Sequence, residues 1–117
     1  MMSEINYHNR FFRFVSNSAS GEVSSETIFH YRQKDNVVWA TYEGGGVKFG
    51  TVVAQVLASD ELEMRYSHVN QAEELMTGEC RSTPEILPDG RIRLHEKWQW
   101  TSGDLSSGES IIEEVSQ

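Results

Sequence analysis

The sequence predicts an all-β domain of about eight antiparallel strands, running as an up-and-down meander and closing into a barrel. Three observations carry this. From Arg10 to Val115 one short segment after another alternates with period two. Turn-forming residues separate the segments about every 10–15 residues, the spacing of a sandwich or barrel. The links are short enough for hairpins between successive strands, and closing such a meander removes the two edges that would otherwise invite aggregation.

Phe12, Phe14 and Ser16 alternate with Arg13 and Val15, which gives a first strand over 10–18 and leaves 1–9 as a flexible tail before a single domain, 10–117. Ala19-Ser20-Gly21 makes the first turn. In the second strand, 25–33, Thr27, Phe29 and Tyr31 share one face, and Ile28, His30 and Arg32 the other. Lys34-Asp35-Asn36 turns the chain into 37–43, rich in β-branched and aromatic residues. Gly44-Gly45-Gly46 supplies the positive φ of a tight hairpin. The fourth strand spans 47–57, with Gly50 a candidate bulge or close-packing point.

After the Ser59-Asp60-Glu61 turn, Leu62, Met64, Tyr66, His68 and Asn70 form the fifth alternation, and 75–83 the sixth. Thr83 to Gly90 is the longest irregular stretch, with Pro88-Asp89-Gly90 a turn in which proline presets φ and glycine accepts φ > 0. The seventh strand, 91–100, sets Ile92, Leu94, Glu96, Trp98 and Trp100 against Arg91, Arg93, His95, Lys97 and Gln99; 109–115 closes the series. The helix formers in 59–65 and 70–76 allow at most one short turn, because segments of that length are unstable as helices.

At 117 residues with a 38% apolar fraction, the chain can build one modest core. A net charge of −8 argues against nucleic acid and anionic membrane surfaces as partners. The single cysteine, Cys80, rules out an internal disulfide and suits a reducing cytoplasm. Residues 1–9 lack the apolar core of a signal peptide, and no stretch is long and apolar enough to span a membrane.

Parity groups Tyr66 and His68 on one side of the fifth strand and Glu96, Trp98 and Trp100 on one side of the seventh. If both sides face inward, the barrel is aliphatic at one end and polar-aromatic at the other. Trp39 and Thr41, or Tyr42 from the opposite face, would join from the third strand. A carboxylate inside a barrel must be paired, protonated or solvated. Glu96 is therefore either a structural plug, paired with an arginine or His68, or the polar anchor of an aromatic-walled ligand pocket. The candidate ligand-binding residues are Trp39, Tyr66, His68, Glu96, Trp98 and Trp100.

The remaining chemistry-bearing residues read as structural. His30, His68 and His95 fall in three different strands and His8 in the tail, without the local spacing of a zinc motif, so no metal is expected. Cys80 lies mid-strand and reads as a small buried hydrophobe rather than a nucleophile. Glu113 and Glu114 point to opposite faces, and Gly44-Gly45-Gly46 lacks the lysine and following helix of a phosphate-binding loop. No catalytic residue and no cofactor is assigned.

The segment from Arg81 through Pro84, Pro88-Asp89-Gly90 and Trp98-Gln99-Trp100 to Asp104, together with Gly21 to Thr27, resembles a family of small bacterial proteins of about this length. The resemblance covers most of the chain from Gly21 to Glu114 and implies an avidin-like or calycin-like barrel. Members often carry the name N-acetylglutamate synthase, which would imply acetyl transfer from acetyl-coenzyme A. The residues do not fit that activity, since no glycine-rich loop leads into a helix. The expectation is a non-enzymatic barrel that binds a small molecule at its mouth; a filled barrel acting as an interaction module is one alternative, and the acetyltransferase that the family label implies is the other. The 3 Trp, 4 Tyr and 5 Phe exceed what one small interior can hold, which points to an outer apolar face and a homodimer.

Overall fold

The computed structural model describes residues 5–17 and 26–115. The turn expected at Ala19–Gly21, the start of the second strand at Ser25, most of the Gly21–Thr27 motif and residues 1–4 of the tail lie outside them. The strands are β1 (Arg10–Asn17), β2 (Ile28–Lys34), β3 (Val37–Gly44), β4 (Val47–Val56), β5 (Leu62–Asn70), β6 (Leu75–Ile86), β7 (Ile92–Trp100) and β8 (Ser107–Glu114). A 3₁₀ turn, Ala58–Asp60, precedes β5. Each strand pairs antiparallel with the next, and β1 pairs with β8, so the sheet closes into an up-and-down barrel.

Alternation decides what faces inward. Val38, Ala40 and Tyr42 on β3, Leu62, Met64 and His68 on β5, and Ile92 to Trp100 at every second residue of β7 are buried. Bulges adjust the pattern. A register shift between Val47 and Phe49 lets Val47 and Gly50 both face inward and leaves Phe49 exposed. A shift between Phe14 and Ser16 turns Ser16 outward, away from the face it shares with Phe12 and Phe14 by parity. Strand β6 continues through Pro84, where the sequence suggests a loop. Past Ser82 it has no β5 neighbour and pairs with β7 alone, so a residue lacking an N–H is tolerated as on an edge strand.

Phe12, Val38, Leu62, Ile92, Leu94 and Ile112 fill one end of the barrel and are almost wholly buried. Each such side chain contributes about 1.5–3 kcal/mol by leaving water. The expected tail is part of this end. Tyr7 is 0% exposed, its hydroxyl donates to the Asp60 carbonyl at 2.7 Å, and its backbone N–H donates to Gln33 Oε1 at 2.8 Å. A tyrosine that buries its ring while satisfying its hydroxyl gains more than a solvated tail would, so residues 5–9 fold over the barrel floor.

Candidate functional site

Above Leu94 and Met64 the inner wall becomes aromatic. Phe14 of β1 lies 5.4 Å from Phe29 of β2, and Phe29 stacks on Tyr42 of β3 at 4.7 Å. Tyr42 meets His68 of β5 edge-on at 5.6 Å, and His68 meets Trp100 of β7 at the same separation. Trp100 also packs against Tyr66 at 5.7 Å and Trp98 at 5.9 Å. Edge-on and offset pairs of this kind add about 0.5–1.5 kcal/mol each beyond burial. The result is a belt of rings around the interior.

Two glycines make room for the belt. A Cβ on Gly50 would lie 2.3 Å from Tyr42 Cζ, and one on Gly78 2.3 Å from Tyr66 Cζ. Both rings therefore lie directly over glycine backbone, as the sequence suggests for Gly50.

The belt surrounds a small cavity. Glu96 lines it one inward position below Trp98. In the strand register Glu96 stands opposite Ser82 of β6 and Ser110 of β8. Ser82 Oγ donates to Glu96 Oε2 at 3.0 Å and Ser110 Oγ to Oε1 at 3.1 Å. These are the partners of the carboxyl, in place of the arginine or His68 that the sequence suggests. Burial pushes the Glu96 carboxyl up to about 7, against the two serine bonds, which favour its ionised form. Burial, and then the nearby Glu96 charge, raise the Tyr31 hydroxyl and the Cys80 thiol well above their ordinary values.

Tyr66, His68, Glu96, Trp98 and Trp100 all line the cavity. Trp39 does not. It is half-buried on the outer face of β3, level with Arg32 of β2 and Val53 of β4, because Val38, Ala40 and Tyr42 take the inner face. Tyr42 supplies the inward ring from β3 instead. Phe14, Phe29, Tyr31, Cys80 and Ser110 also line the cavity, beyond the candidates that the sequence marks out. Phe29 and Tyr31 share parity on β2, a signal that becomes decisive only when the inner face of that strand is known.

The histidines are dispersed: His8 Nδ1 accepts from the Gln33 N–H, His30 contacts Asn9, His95 contacts Glu85, and His68 bonds Tyr42. Among the described residues, no three His, Cys, Asp or Glu side chains are grouped to hold a metal ion, and no helix is long and apolar enough to cross a membrane.

No curated protein and no solved structure gives a significant match to the chain. A family model, that of the avidin-like proteins, matches residues 5–115, and the eight-stranded meander closed around a ring-lined interior agrees with it: the chain belongs to the avidin-like protein family.

Proposed function

We propose that this protein binds a small molecule in the aromatic cup and performs no chemistry on it. The observation that carries this reading is the cavity itself: among the described residues, apolar rings form its walls and one carboxyl, held by two serines, forms its polar anchor. Ligand pockets characteristically combine a largely apolar lining with few, well-placed polar groups. A barrel of eight strands has room inside for side chains or for one small ligand. A thermal-shift screen of the purified protein against a metabolite library tests the reading. A ligand at about 100 times its Kd stabilises the native state by about 2.7 kcal/mol, which raises Tm measurably. A library that leaves Tm unchanged throughout favours the interaction module.

We further propose a homodimer built on the outer face of β3 and β4. Val37 and Val53 are 45% and 60% exposed there, and Trp39 lies beside Val53. Exposed apolar surface of this kind favours association with a like surface. The cytoplasm is the proposed compartment, on the single free cysteine.

A further inference from the structure

We propose that the cup selects the protonated amine end of a small organic cation, seated on Glu96 beneath the ring belt. This rests on the small-molecule reading above. Three features of the cavity point the same way. Among the described residues its lining holds one carboxyl and no lysine or arginine, so a bound cation would meet a full countercharge at Glu96. The two serines occupy one hydrogen-bonding direction on each carboxylate oxygen and leave others for an incoming N–H donor. The walls above are ring faces and edges, and Trp98, Trp100 and Tyr66 are the ring types that attract a cation most strongly.

An anionic ligand would face the opposite balance, with a carboxylate near it and, among the described lining residues, no lysine or arginine to receive it. A neutral ligand would leave the buried charge of Glu96 uncompensated or require it to stay protonated. The overall charge of −8 also raises the local concentration of cations around the molecule. Arg10, Arg65, Arg81, Arg91 and Arg93 are engaged with carboxylates on the outer surface and do not enter the cup.

The test uses the full chain and three probes of one size: benzylamine, benzyl alcohol and benzoate. Affinities are measured by calorimetry at pH 8, above the value of about 7 at which Glu96 is half ionised. Benzylamine is expected to bind at least tenfold more tightly than benzyl alcohol, with benzoate weakest. Glu96→Gln is expected to reduce benzylamine affinity at least tenfold and to abolish its preference over benzyl alcohol. Because the probe series is run on the unaltered protein, it decides the question even if the variant fails to fold. Benzyl alcohol binding as tightly as benzylamine overturns the cation proposal and leaves the small-molecule reading intact. Failure of all three probes and of the metabolite library overturns both.

Discussion

Tyr42 and His68 lie on strands that are not neighbours, β3 and β5, yet Tyr42 Oη and His68 Nδ1 share a hydrogen bond of 2.8 Å. The contact passes over Gly50 of the intervening β4, which pairs with Tyr42 on one side and His68 on the other. A side chain at position 50 would occupy the space through which the two groups meet.

Gly50→Ala is therefore expected to destabilise the barrel by about 1–3 kcal/mol, the cost of overpacking a filled site. Its methyl would stand 2.3 Å from Tyr42 Cζ and 2.7 Å from His68 Cβ. Urea denaturation measures the change. Thr51→Ala, one residue along and facing solvent, is the control and is expected to stay within about 0.5 kcal/mol.

Glu96 makes stability depend on pH in an unusual direction for a carboxyl. Its folded value of about 7 exceeds the ordinary 4.5, so between the two the folded state holds a proton that the unfolded state has lost. Stability is then full below about pH 4.5, falls as pH rises toward 7, and levels off above it. The fall attributable to this group is of order 3 kcal/mol. Glu96→Gln should remove that slope in denaturation curves taken from about pH 5 to 8.

Cys80 is buried in the cup wall with its thiol held protonated, and the thiolate is the reactive form. Native protein should react with iodoacetamide far more slowly than protein unfolded in urea. A bound ligand should slow the native reaction further, read by mass spectrometry.

Tyr7→Ala should cost about 3–5 kcal/mol, as for other large buried aromatics. A true tail residue would cost almost nothing, so chemical denaturation separates the two cases.

Val53→Asp places a charge on the outer patch next to Trp39. Light scattering at micromolar concentration should give about twice 13.3 kDa for the unaltered protein and about 13.3 kDa for the variant. A native mass of one chain rejects the dimer.

Strand number and most inner faces were legible because β5 and β7 alternate cleanly: Leu62, Met64 and His68, like Ile92 to Trp100, leave mainly polar or charged residues on the other side. Strand β3 carries apolar or aromatic residues on both faces, so parity alone could not choose between Trp39 and Tyr42. Ile5 and Tyr7 share parity, but two positions among polar residues are too short a run to mark a buried segment. Ser82 and Ser110 are ordinary small polar residues until the register sets both opposite Glu96. Their role depends on pairing between strands, which no single segment encodes.

The Tyr7–Asp60 contact gives the barrel a floor, so the cup is closed at that end. A ligand bound as proposed above would therefore enter and leave from the opposite end, with its leading end toward Glu96. On that reading the cup grips a ligand by its head, and a compound fixed to a resin through its far end is expected to retain the protein.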